Sequence, residues 1–99
     1  MRSGTTSTGF EFSYDESRLD DMKMADTLMS FMDEDVPEFS RLKAASTFVE
    51  LLFGKTGKNA LYDHIAKSND GRVPYVAFYT ELGDILKGGT ELKNSPASP

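Results

Sequence analysis

Apolar residues in this chain of 99 residues recur mostly three and four positions apart, a spacing typical of amphipathic helices. One such stripe predicts a first helix over residues 16–33, where Ser17 opens a capping box and acidic residues fill the first turn. A second helix is predicted over residues 37–53, with Pro37 in its first turn and Gly54 after its end. The apolar positions of these two helices are Met22, Ala25, Leu28, Met29 and Met32, then Leu42, Ala45, Phe48, Val49 and Leu52.

The second half of the chain predicts two further helices, over residues 58–67 and 74–87. Glycine, asparagine and aspartate before and between them predict loops at 54–58 and 68–71. Gly83 falls inside the last helix, where glycine costs about 1 kcal/mol relative to alanine. Close approach of a neighbouring helix would explain a glycine at this position. The alternative is that Gly83 is a weak point of the helix and has no packing role. The pattern as a whole predicts an all-α fold, a compact bundle of about four short helices.

Near the N-terminus, residues 10–14 alternate aromatic and polar side chains, which is the periodicity of a β-strand. The sequence shows no second strand to pair with it, so we expect an extended N-terminal arm that is loose, packs on the bundle or adds to another chain's sheet. Residues 1–9 and 88–99 are small and polar, which predicts disordered tails on either side of a helical domain over 10–87.

The charge distribution narrows the range of partners. The formal net charge is −5, and residues 1–49 carry ten acidic and five basic side chains. Nucleic-acid binding needs clustered lysine and arginine, and a DNA-binding helical module is therefore disfavoured. The longest apolar run, residues 75–79, is too short to span a membrane, and residues 1–6 lack the apolar segment of a secretory signal. We therefore expect a soluble cytoplasmic protein.

Candidate chemistry is sparse. Cysteine is absent, so thiolate metal sites and disulfides are excluded. The Gly-Lys pairs at 54–55 and 57–58 lack the earlier glycine of a phosphate-binding loop. Residues 69–71 are similar to the middle of a calcium-binding loop, but the first and last acidic ligands are missing. His64, the single histidine, is expected on a helix surface. We predict no enzyme and no catalytic, cofactor-binding or metal-binding residue.

Apolar side chains are the remaining candidates for function. A domain of this size is too small to bury seven phenylalanines, four tyrosines and five methionines completely. Part of this apolar surface is therefore expected to form a binding face. The opposing interpretation is that most of them form the core. Methionines of the first helix and large apolar residues of the fourth are the candidate protein-binding residues: Met29, Met32, Tyr75, Phe78, Tyr79 and Leu82.

The order of the elements resembles the tail assembly chaperones of long-tailed bacteriophages. The resemblance covers residues 36–88. It consists of the helix end Phe48-Val49-Glu50-Leu51-Leu52-Phe53-Gly54, the short segment Leu61-Tyr62-Asp63, and a last helix from Val73-Pro74-Tyr75 to Leu82-Gly83-Asp84-Ile85-Leu86. These motifs are generic, and the family has no catalytic residues to carry over.

The resemblance implies a non-catalytic role in virion morphogenesis, with binding to the tape-measure protein and recruitment of tail-tube subunits. It also implies a possible homo-oligomer, with the 10–14 arm as one candidate contact, and a longer form made by ribosomal frameshifting. The alternative is a small acidic adaptor or inhibitor that binds a host protein through the acids of the first helix: Asp20, Asp21, Asp33, Glu34 and Asp35.

Overall fold

A computed structural model describes residues 1–94 of the protein, which are mostly helical. Two strands, β1 at Arg2–Thr5 and β2 at Glu11–Tyr14, form a two-stranded sheet. A 3-10 helix at Glu16–Leu19 follows, and then α1 at Met22–Met32, α2 at Glu38–Lys67 and α3 at Tyr75–Asn94. The predicted helical character is confirmed. The prediction of four helices and no sheet is wrong, because the described residues form three α-helices and a small sheet.

The sheet is the main departure from the prediction. The alternation at 10–14 does form a strand, and the side chains of Phe12 and Tyr14 are buried. It is not a free arm, because it pairs with β1, which lies in the segment predicted to be a disordered tail. Residues 6–10 close the hairpin with bonds from the Thr6 N–H to the Phe10 carbonyl (2.9 Å) and from the Gly9 N–H to the Thr6 carbonyl (3.0 Å). With Phe12 and Tyr14 buried in their own chain, they are unsuited to be a contact between copies.

The first predicted helix is divided. Residues 16–19 form the 3-10 turn, and the α-helix begins only at Met22. Aspartates rather than Ser17 cap both pieces: Asp15 accepts from the Ser17 N–H at 3.0 Å, and Asp21 accepts from the Lys23 N–H at 2.8 Å. Each carboxylate satisfies a backbone donor that the first turn of a helix leaves unpaired.

The second and third predicted helices belong to one run, α2. The predicted loop at 54–58 is reduced to one non-helical residue, Gly54, with φ 78° and ψ 173°. Helical hydrogen bonding therefore continues on both sides of a sharp bend, and α2 consists of segments 38–53 and 55–67. The predicted turn at 68–71 is confirmed, with Asp70 and Gly71 at positive φ.

The last helix is longer than predicted. α3 runs through Gly88 and Gly89 to Asn94, where the sequence predicted an end at residue 87 and a disordered tail. The remainder of that predicted tail, residues 95–99, lies outside the described residues. A Cβ placed on Gly83 would meet nothing within 4 Å, so close approach of another helix does not explain this glycine.

Contacts divide the chain into two compact units. Unit 1 comprises Met1–Ser13 and the residues from Ala60 onward, and unit 2 is Tyr14–Asn59. In unit 1, β1 packs against α3, and the buried apolar side chains are Phe12, Leu61, Ile65, Phe78, Leu82 and Ile85. In unit 2 they are Tyr14, Met24, Ala45, Phe48, Val49 and Leu52.

Candidate functional site

In unit 2, one side of α1 exposes three methionines. Met22, Met29 and Met32 are 69%, 59% and 68% exposed, whereas Met24 is buried. Seven residues make about two helical turns, so Met22 and Met29 lie on the same face, with Met32 one turn further along. We call these three residues the methionine face. The prediction named Met29 and Met32 and missed Met22, although its position seven residues before Met29 was the signal.

The four other predicted binding residues lie on α3 in unit 1, and they form two groups that differ in exposure. Tyr75 is 50% exposed, and its ring centroid lies 6.4 Å from that of Tyr79, which is half-buried. Phe78 and Leu82 are 5% and 0% exposed, so the prediction that they offer their side chains to a partner is wrong. They belong to the core because they continue the buried stripe of the amphipathic helix.

One exposed large apolar residue on each of α2 and α3 was not predicted. Val76 of α3 is more exposed than its neighbour Tyr75, and Phe39 of α2 is 87% exposed. Phe39 lies at the margin of the apolar stripe that predicted this helix, which is consistent with a side chain outside the core. No spacing rule distinguishes such marginal residues from core ones, because their burial depends on what packs beside them.

The acids considered for an acidic docking face are all exposed. Asp21 and Asp33 have structural roles, because Asp21 caps α1 and Asp33 accepts from the Asp35 N–H at 2.9 Å. No capping bond is made by the side chains of the other three, Asp20, Glu34 and Asp35. Their charges can therefore be neutralised without removing a capping interaction.

Unit 1 also contains a polar cluster that the sequence did not predict. It joins the hairpin loop to α2 and α3: the Thr8 hydroxyl donates to Glu81 Oε2 at 2.7 Å and lies 2.9 Å from His64 Nε2. Glu81 is 3% exposed. His64 was expected to be a surface residue, but it is half-buried, with its ring centroid 5.3 Å from that of Phe10. These residues lie far apart in sequence, so no motif marks them.

A cavity of about 60 Å³ adjoins this cluster. Thr8, His64 and Glu81 line it, together with residues of α2, of the turn that follows α2, and of α3: Ile65, Ser68, Asn69 and Ala77. Asn69 is held by a bond from its Nδ2 to the Ile65 carbonyl at 2.7 Å. Among residues 1–87, whose side chains the structure describes, no group of three or more His, Cys, Asp or Glu could hold a metal ion.

The same hairpin loop has a second anchor on α3, which predicts a pH dependence. Asp84 Oδ2 accepts from the Ser7 hydroxyl at 2.6 Å and the Ser7 N–H at 3.1 Å, and these bonds lower the pKa of Asp84 below its usual 3.8. Because the pKa is lower when the protein is folded, the contact stabilises the hairpin loop above the unfolded-state pKa. It is lost as pH falls through the folded-state pKa.

We therefore expect the Ser7 amide proton resonance to shift with a midpoint below pH 3.8 in an acid titration followed by NMR. Asp84→Asn should remove this transition and leave the hairpin resonances around Phe12 in place. A midpoint above 3.8, or the same transition in the variant, would show that Asp84 does not hold Ser7 in solution.

Comparison with known proteins adds no constraint on function, because no family model, curated protein or solved structure matches this chain. Within the described part of the chain, no helix is both long enough and apolar enough to cross a membrane.

Proposed function

We propose that this protein is a non-catalytic protein-binding chaperone that captures an amphipathic helix of its client on the methionine face. The observation that carries the proposal is the exposure of Met22, Met29 and Met32 on one side of α1. Methionine side chains are flexible and polarizable, so one surface can pack against clients of differing shape. An unpartnered helical face of this kind suits the apolar side of another helix.

The charges around α1 specify the client further. Asp20 and Asp21 precede the helix, and Asp33, Glu34 and Asp35 follow it. The client helix should therefore carry lysine or arginine beside its apolar stripe, since complementary charge raises the association rate and excludes acidic competitors. The overall net charge of −5 acts in the same direction.

Within this class, we propose a tail assembly chaperone of a long-tailed bacteriophage, acting in the host cytoplasm. The support is the sequence resemblance over residues 36–88 together with the methionine face. The clients are then the long helical tape-measure protein, which is bound, and tail-tube subunits, which are recruited to it. Coexpression with the tape-measure protein of the same gene cluster should increase the soluble fraction of that protein.

Replacing methionines of the methionine face should weaken the binding of an amphipathic helix. For Met29→Ser with Met32→Ser, we expect at least a tenfold rise in the Kd for a fluorescein-labelled leucine–lysine amphipathic peptide, because two central contacts are lost. Fluorescence anisotropy measures the Kd, and far-UV circular dichroism should show unchanged helicity since both residues are exposed.

A matched double variant tests the rival surface on α3. Tyr75→Ser with Val76→Ser also removes two exposed apolar side chains and should leave the peptide Kd within about twofold, as expected for residues outside the binding face. If this variant loses the peptide while the methionine variant retains it, the binding surface is on α3. If both bind like the parent, the chaperone proposal loses its structural support.

The exposed acids favour one alternative, an acidic adaptor or inhibitor that binds a host protein. Neutralising Asp20, Glu34 and Asp35 to the corresponding amides separates the two proposals, because none of these side chains caps α1. An adaptor would lose its partner completely, whereas the chaperone would keep the peptide, with a slower association rate and weaker salt dependence.

A further inference from the structure

Unit 1 contains a buried carboxylate oxygen that has no partner. Among the residues that the structure describes, Glu81 Oε1 is buried without a hydrogen bond, although its companion Oε2 accepts from Thr8. A buried polar atom without a partner costs stability, and more so on a charged group. Glu81 also lines the 60 Å³ cavity, so a group bound there lies beside this side chain.

The hydrogen bonds around Thr8 leave no donor for Oε1 within the network. A threonine hydroxyl has one proton, and that of Thr8 goes to Glu81 Oε2. The Thr8 hydroxyl has two other polar neighbours, Thr6 Oγ1 at 3.2 Å and His64 Nε2 at 2.9 Å. Because the Thr8 proton is already used, both neighbours must donate a hydrogen bond to the Thr8 oxygen. His64 then carries a proton on Nε2, which is used on Thr8.

The size and lining of the cavity restrict what can bind. An apolar cavity that admits benzene measures about 150 Å³, so a space of 60 Å³ admits only a group of a few atoms. A divalent metal ion needs several ligands, and no group of three or more His, Cys, Asp or Glu side chains that could hold one is found in residues 1–87. The acceptors at the cavity favour a ligand that donates hydrogen bonds and carries positive charge.

We propose that this cavity is a binding site for a primary ammonium group. An ammonium has three N–H donors. Glu81, the Ser68 hydroxyl and the Asn69 side-chain oxygen supply acceptors in the cavity lining, since Asn69 already uses Nδ2 on the Ile65 carbonyl. Ile65 and Ala77 give an apolar wall for one or two carbons next to the nitrogen. The ammonium belongs to a free small amine or to a lysine side chain of a protein.

The test is an NMR titration of the folded full-length chain with methylammonium chloride. The amide resonances of Thr8 and Asn69 should shift and saturate. Methylammonium has two non-hydrogen atoms, and the affinity ceiling for very small ligands places its Kd at or above about 6 mM. Sodium chloride and tetramethylammonium chloride at equal ionic strength should give no saturable shift, because neither has an N–H donor.

A second titration with Nα-acetyl-lysine amide distinguishes the sources. Tighter binding than methylammonium indicates a lysine side chain as the natural ligand, and weaker binding indicates a free amine. Either order supports an ammonium site. Saturation by sodium or tetramethylammonium with the same midpoint would overturn the proposal.

Glu81→Gln is the decisive variant, because it keeps the shape of the side chain and replaces the charge. Binding should weaken at least about tenfold, the usual effect of losing a hydrogen bond to a charged group. Asp63→Asn is the matched control: it removes an exposed carboxylate that directly precedes His64 in α2 and does not line the cavity, and it should leave the Kd within about twofold.

If Glu81→Gln fails to fold, Ser68→Ala tests the ammonium site instead. Ser68 is exposed, so its substitution leaves the core packing unchanged. Its Kd should rise by about tenfold through loss of one acceptor. An unchanged Kd in the folded variant, whether Glu81→Gln or Ser68→Ala, would refute the ammonium site. The methionine face plays no part in these titrations, so their outcome is separate from the chaperone proposal.

Discussion

Replacing Phe48 with alanine is expected to lower the free energy of unfolding by about 3–5 kcal/mol. Phe48 lies in α2 and is 1% exposed. Truncation removes the transfer free energy of the ring and leaves a cavity that the neighbouring helix residues fill only in part. A small domain has about 5–15 kcal/mol of stability in total, so this variant should be close to unfolding at 37 °C. Urea denaturation followed by circular dichroism measures the change.

Phe39 provides a matched control on the same helix. It is also a phenylalanine, but it is 87% exposed, so Phe39→Ala should change the free energy of unfolding by no more than about 0.5 kcal/mol. The contrast tests the orientation of α2 directly. If the two variants unfold at the same urea concentration, or if Phe39→Ala is the less stable, the buried face of α2 has been assigned to the wrong residues.

The helices of this protein could be predicted because each has an apolar stripe of its own. The stripe around Phe48 located the first segment of α2, and the one around Leu82 located α3, which extends beyond its predicted end. Strand β1 could not be predicted in this way. Its residues, Arg2–Thr5, have no apolar alternation, and the strand forms through pairing with β2 and packing on α3, which are interactions between distant parts of the chain.

The candidate binding residues show a second limit. An apolar stripe identifies one face of a helix but does not say whether that face meets the core or a partner. Phe78 and Leu82 share the stripe of α3 and are core residues, while Met29 and Met32 share the stripe of α1 and are exposed. The composition predicted that some apolar surface is exposed, but only the structure shows which residues form it.

The polar cluster shows a third limit, which is distance along the chain. Thr8, His64 and Glu81 meet only because the hairpin, the end of α2 and α3 pack in the same unit. From the sequence alone, His64 was expected to be a helix-surface residue, and nothing marked Thr8 or Glu81. A buried carboxylate oxygen without a partner has no signature in sequence, since it is defined by its surroundings.

Gly54→Ala is expected to lower the free energy of unfolding by about 1–3 kcal/mol, the cost of a conformation open almost only to glycine. Gly54 has φ 78° and ψ 173°, while the residues on both sides are helical. The bend brings Lys58 Nζ to 2.9 Å from Glu50 Oε1 and 3.2 Å from Ser46 Oγ. In a straight helix, residues eight and twelve positions apart would be about 12 and 18 Å apart along the axis, beyond the reach of one lysine.

The substitution should therefore either strain the bend or straighten α2 and break these contacts, and the pKa of Glu50 distinguishes the two. Lys58 lowers that pKa in the bent helix through its hydrogen bond and its charge, so straightening should raise it toward 4.5 in a carboxylate NMR titration. Gly83→Ala is the control: Gly83 is exposed within α3, a Cβ there meets nothing within 4 Å, and alanine should stabilise by about 0.5–1 kcal/mol. A Gly54→Ala protein as stable as the parent, with Glu50 unchanged, would show that the bend does not depend on glycine.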